Sequence, residues 1–171
     1  MTQLAKKTGL VKGTLYLYFK TREELFLTLY EQSLMRWSQV FISHLSNAMT
    51  SRAYAQSLFT TAQADGAFLP LLIRLEHVIE HNVSIPRLIK SKQVFKQQVE
   101  TVAAPTSTSL SLNAAQATEV VKTMGVLLIG ATRSDQGPAL DNEALPSDVQ
   151  ALIASFASEP LFVKNAVRII E

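Results

Sequence analysis

The sequence predicts an all-α fold, an N-terminal helix-turn-helix followed by a larger helical body, and three observations carry that expectation. Apolar residues return at spacings of three and four along most of the 171 residues, the period of a helix with one buried face. No segment alternates apolar and polar side chains in the two-residue rhythm of a half-buried strand. Helix-start signals precede the periodic runs, with Thr21 three residues ahead of Glu24 and Ser84 two residues ahead of Pro86, a capping box and a first-turn proline.

In chain order, residues 2–8 form a short helix closed by Gly9, since glycine alone enters the left-handed turn without steric cost. Residues 12–19 make a second short helix. After Thr21, the apolar set Leu25, Leu29, Trp37, Phe41 and Leu45 extends one long helix to about Asn47. Residues 53–64 and 68–81 are the next two helices, split by Asp65-Gly66 as a turn signal. Leu88, Phe95, Val99 and Val102 mark another stripe, and residues 103–113, with Pro105 and a Ser/Thr run, read as a connecting loop. Residues 114–132 follow as the most apolar helix. Its stretch from Met124 to Ala131 has no polar side chain, so burial on every face is expected. Residues 133–147 read as a surface loop, 147–157 as a helix broken near Pro160, and 161–170 as the last helix.

Composition bounds the function classes. Apolar residues are 47% and charged residues 18% of the chain, with mean hydropathy +0.15, a balance that suits a folded protein. Without cysteine there is neither a disulfide framework nor a thiolate metal site, and the cytoplasm is the expected compartment. No run approaches the roughly 18 unbroken apolar residues of a membrane span, and no signal-peptide pattern opens the chain. Net charge is +2, yet Lys6, Lys7, Lys12, Lys20 and Arg22 all precede the first acid, Glu23. A basic head on a mildly acidic body points to a polyanionic partner.

Within that head, Ala5 is small enough for two helices to touch, and Leu4, Leu10, Leu15 and Phe19 point inward. The second helix then exposes Lys12, Thr14, Tyr16 and Lys20. Amines, hydroxyls and phenols on a helix of this size suit a major groove, where they reach phosphates and base edges.

The series Leu4-Ala5, Gly9-Leu10, Lys12-Gly13-Thr14-Leu15-Tyr16, Tyr18-Phe19-Lys20 and Arg22-Glu23-Glu24-Leu25 resembles the TetR family of transcriptional regulators over about the first 30 residues. The resemblance implies a DNA-facing helix carrying Lys12, Gly13, Thr14, Tyr16 and Tyr18, with Tyr16, Lys20 and Arg22 on phosphates. It implies a reading head at residues 1–22 and an effector-binding, dimerisation body at residues 23–171. Two departures stand out. Val11 occupies a place where a serine commonly caps the recognition helix, and valine cannot cap. The family also carries a helix ahead of the helix-turn-helix, and this chain begins too late to hold it, so an incomplete three-helix head is expected.

For the body, the resemblance implies an effector cavity, with Trp37, Phe41, Tyr54, His77, His81 and Phe95 as candidate lining and an apolar or amphipathic small molecule as effector. Met124, Gly125, Leu128, Ile129, Phe162, Val163 and Val167 are the candidate homodimer surface, because a wholly apolar helix needs a second neighbour. The expected function is a non-enzymatic repressor that leaves a double-stranded operator when the effector binds. The alternative is a truncated helical dimer that binds ligand or a paralogue without DNA. His77-Val78-Ile79-Glu80-His81 also fits an H-x-x-E-H zinc-peptidase string, but no third ligand accompanies it. No metal, no cofactor and no catalytic set is expected.

Overall fold

The computed structural model describes residues 2–9, 11–133 and 145–171, without the side chains of Leu4, Thr8, Lys12 and His77. The described residues form helices joined by turns: α1 (Thr2–Thr8), α2 (Lys12–Tyr18), α3 (Arg22–Ser43), α4 (Ser51–Ala64), α5 (Phe68–Arg74), α6 (Ile85–Leu110), α7 (Ala114–Arg133), α8 (Ser147–Ser155) and α9 (Ser158–Ile170). A π-helical turn (Leu75–Ile79) and a 3₁₀ turn (Glu80–Asn82) bridge α5 to α6. The expected inward positions Leu4 and Leu10, and most of the expected loop at 133–147, lie outside the described side chains and residues.

Local chemistry sets several helix starts. Thr21 accepts from the Glu24 N–H at 3.1 Å while the Glu24 carboxylate takes the Lys20 N–H at 2.8 Å, so orphan donors at the start of α3 are satisfied from both directions. Asp65 Oδ1 accepts from the N–H groups of Ala67 and Phe68, both at 3.0 Å. Asn113 and Gln116 form a reciprocal box at the start of α7, at 2.9 and 3.0 Å. Val11, as its side chain dictates, gives α2 no cap.

The expected loop at 103–113 is instead the last turns of α6, with Pro105 inside the helix. A proline there removes one backbone bond and costs about 3 kcal/mol. Val102, Ala103, Thr106 and Ser109 are buried in that stretch, at the spacing of one helical face, and their packing outweighs the local penalty. The Thr106 hydroxyl meets Tyr54 Oη at 2.9 Å, and the Ser109 carbonyl accepts from the Met49 N–H at 2.8 Å. Ser111, at φ 56°, closes the helix in the left-handed conformation usually left to glycine.

The core is one cluster drawn from α3, α4, α5, α6, α7 and α9. Leu27, Phe41, Tyr54, Met124 and Phe162 are fully excluded from solvent. Phe59 of α4 and Phe162 of α9 meet at 5.5 Å between ring centroids. Along α3, Phe41, Trp37, Phe68 of α5 and Tyr30 form a near-parallel column of rings, with successive centroids 5.5, 4.9 and 6.3 Å apart. Such stacks hold helices in register beyond what area burial alone provides.

Within the single chain the apolar α7 stretch is buried on one face. Met124, Leu128 and Ala131 face the core, whereas Val126 is 73% exposed and Gly130 is exposed. The reason is periodicity: residues four apart share the inward side, and Val126 falls opposite.

Candidate functional site

In the head, α1 and α2 meet over Ala5 and Leu15, which are 6% and 7% exposed. Gly9 makes the turn between them at φ +68°, a conformation that strains other residues. Packing Leu15 inward sends the opposite side of α2 outward. Gly13, Tyr16, Tyr18 and Lys20 are exposed, Thr14 and Phe19 are half-buried, and Lys12 lies on the same helix. Arg22 is exposed at the start of α3, paired with Glu23 at 3.0 Å and set over the Phe26 ring at 5.9 Å. Leu17, 85% exposed, and Val11, 75% exposed, share this surface. Val11 stands out in the sequence only as a residue that cannot cap, and for Leu17 the helical position relative to Leu15 was the available signal. Exposed aliphatic groups there match the chemistry of a thymine methyl.

A hydrogen bond ties this head to the body. The Thr21 hydroxyl, besides capping α3, donates to the Asn82 carbonyl at 3.2 Å, at the end of the 3₁₀ turn. Just beyond, Arg87 grips Glu31 with both guanidinium nitrogens, at 2.7 and 2.8 Å, and reaches Thr28 at 3.2 Å. The forked geometry fixes the first turn of α6 against α3.

Among α3, α4, α5, α6 and α7 lie two chambers that share Tyr30, Leu72 and Phe95 as wall. The upper one, about 140 Å³, is completed by Leu75, Glu76, Glu80, Ser91, Lys92 and Arg133, among others. The lower one, about 70 Å³, is largely apolar and includes Trp37, Tyr54, Phe68, Val102 and Leu128. Of the expected lining, Trp37, Tyr54 and Phe95 are wall residues. Phe41 is not: one turn along α3, it is buried against Trp37 and edge-on to Tyr54 at 5.3 Å. His81 is exposed on the 3₁₀ turn, outside both walls, and the His77 side chain lies outside the description. Tyr30, Leu72 and Glu80 were missed, because the wall is assembled from helices far apart in sequence.

The H-x-x-E-H string does not sit on a regular α-helix, since a π turn and a 3₁₀ turn divide it. Its Glu80 carboxylate is bonded to Lys92 at 2.7 Å. Among the described residues no cluster of three metal-ligating side chains occurs.

The candidate dimer residues divide in two. Met124, Leu128, Phe162 and Val163 are at most 4% exposed and belong to the chain's own core, so no side-chain surface is left for a partner. Gly125, Ile129 and Val167 are half-buried. Apolar side chains turned to solvent are Val126 on α7 and Ile169 on α9, with Leu152 and Ile153 on α8, a helix with no buried residue, and Phe156 just after it.

Two buried tyrosines carry shifted acidities. Burial pushes Tyr54 up to about 12, partly opposed by its bond to Thr106. Tyr30 is raised further, by burial first and then by Glu80, Glu31 and Glu76. Above pH 10 the unfolded chain loses these phenolic protons while the native protein keeps them, so native stability falls as pH rises. Between pH 10 and about 12, wild type is expected to lose stability faster than a Tyr30→Phe/Tyr54→Phe double variant, by about 1.4 kcal/mol per pH unit per group at most. Urea titrations at stepped pH measure this, and parallel slopes for the two proteins would exclude it.

A short helix pair with a basic, aromatic outer face, set on an all-helical body, defines a helix-turn-helix transcription regulator. Family models agree over nearly the whole length: one described as bacterial regulatory proteins, tetR family, matches residues 1–29, and one described as tetracyclin repressor-like, C-terminal domain, matches residues 31–158. The chain belongs to the TetR family of transcriptional regulators. A search of the curated proteins finds no match. Among the described residues no helix is long and apolar enough to cross a membrane.

Proposed function

We propose that the protein is a homodimeric repressor that grips a double-stranded operator through α2 and releases it when a small molecule occupies the two-chambered cavity. The observation that carries this reading is the short path between the two sites. Leu75, Glu76 and Glu80 are cavity wall and lie on the turns that end at Asn82, whose carbonyl holds Thr21 at the head. An effector that fits one setting of these turns better than the other shifts the head by its differential affinity.

Dimerisation is supported by the solvent-facing Val126, Ile169, Leu152, Ile153 and Phe156. Apolar side chains left in solvent suit cover by a second copy of the chain. Two α2 helices related by a two-fold axis then match two half-sites about one helical turn of DNA apart.

Selection from a random duplex pool tests the function directly. A two-fold symmetric sequence is expected to emerge, with affinity falling steeply as salt rises because phosphate contacts release counterions. Recovery of no preferred duplex by a protein that still dimerises would favour the alternative, a helical dimer without operator binding.

A further inference from the structure

A serine inside a helix commonly turns its hydroxyl back to the carbonyl four residues earlier, and Ser38 of α3 does so, bonding Leu34 at 2.8 Å. Ser91 of α6 does not. It is 4% exposed and belongs to the wall of the upper chamber, yet its hydroxyl has no hydrogen-bond partner among the described residues. Unlike the sealed Tyr30 Oη and Ser57 Oγ, Ser91 Oγ keeps accessible surface, and the space beside it is the chamber.

A buried hydroxyl left without a bond is costly. A guest that strips water from such a group without replacing the bond therefore loses affinity. Because a serine hydroxyl both donates and accepts, a guest hydroxyl or carbonyl oxygen serves equally. Charge does not favour an ion. Glu80 and Lys92, both in the wall, hold each other at 2.7 Å, so an anion must compete with Glu80 and a cation with Lys92. Glu76 and Arg133, of opposite sign, are exposed wall residues, where water and salt screen them. Leu72, Leu75, Phe95 and Ile129 supply apolar wall, and the volume of about 140 Å³ is close to the ~150 Å³ of a cavity that admits benzene.

We propose that the upper chamber binds a small uncharged molecule, about the size of a substituted benzene, that bonds Ser91 Oγ through one hydroxyl or carbonyl oxygen and buries its apolar part against Leu72, Leu75, Phe95 and Ile129. That this guest is the effector rests on the proposed function; the chemistry of its binding does not.

Phenol and toluene, matched in shape and differing by a hydroxyl against a methyl group, are the probes, titrated by calorimetry into wild type and Ser91→Ala. The variant is expected to bind phenol about fivefold more weakly, the scale of one hydrogen bond, and toluene within about twofold of wild type. Its melting temperature should hold or rise, since the deleted hydroxyl has no partner and alanine is the better helix former. Equal weakening of both probes would overturn the Ser91 contact, as would a lower melting temperature, which means that the hydroxyl is already bonded inside the free protein. Tighter binding of benzoate or benzylammonium than of phenol overturns the uncharged class. Failure of both phenol and toluene to bind wild type overturns the site itself. Release of the selected duplex is read separately: phenol that binds in a Ser91-dependent way and leaves the duplex bound upholds the site and refutes its role as the effector site.

Discussion

Replacing Phe162 by alanine is expected to lower unfolding free energy by about 3–5 kcal/mol, the range for large aromatic-to-alanine changes in a core. Phe162 is fully buried and its ring lies 5.5 Å from that of Phe59, so truncation opens a cavity where α4 and α9 meet. Neighbouring Val163 and Ala166 are also buried, leaving little freedom for the backbone to close the gap. Much of the stability of a typical domain, about 5–15 kcal/mol, is at stake. Urea denaturation monitored by circular dichroism measures the change. A loss under about 1 kcal/mol would show that the site collapses without penalty or is not core. Had Phe162 been part of a subunit interface, the loss would instead diminish on dilution to monomer.

That distinction marks where the sequence stops being legible. Apolarity and period say that Met124, Leu128, Phe162 and Val163 are covered, but not whether the cover is the same chain or another. The inward face of α7 is settled by α6 and α9 packing on it, which no local pattern records. Thr21-Glu24 and Gly9 were readable because their chemistry spans four residues or fewer. Asn113-Gln116 has the same short reach, and α7 begins at Ala114, where the sequence places it. Pro105 shows the general limit: its penalty is local and visible, whereas the burial of Val102 and Thr106 that offsets it comes from other helices. The cavity is still less legible, since Tyr30, Leu72 and Glu80 converge from separate helices and turns. The ion pair of Arg87 with Glu31 crosses 56 positions and has no sequence signature.

Gly13→Glu is expected to strengthen the head while abolishing its grip on DNA, which separates folding from recognition in one variant. Gly13 is the second residue of α2, it is exposed, and a Cβ placed there meets nothing within 4 Å. A non-glycine residue gains about 0.5–1 kcal/mol of helix stability. A carboxylate in the first turn adds about 0.3–1 kcal/mol through the helix dipole, in a helix whose N-cap is the uncapping Val11. Melting temperature should therefore hold or rise. The same carboxylate enters a surface shared with Tyr16, Tyr18 and Lys20, and on the proposed DNA-facing role of α2 it meets phosphates, where like-charge juxtaposition costs several kcal/mol. Affinity for a duplex selected by the wild-type protein is expected to fall about 100-fold or more at moderate salt, since each 1.4 kcal/mol is a factor of ten. Gly13→Ala provides the companion, with the same gain in helix stability and no added charge. If fluorescence anisotropy finds wild-type affinity in the glutamate variant, α2 is not the helix that faces the duplex. If both variants bind weakly and equally, backbone approach at Gly13, rather than charge, limits the fit.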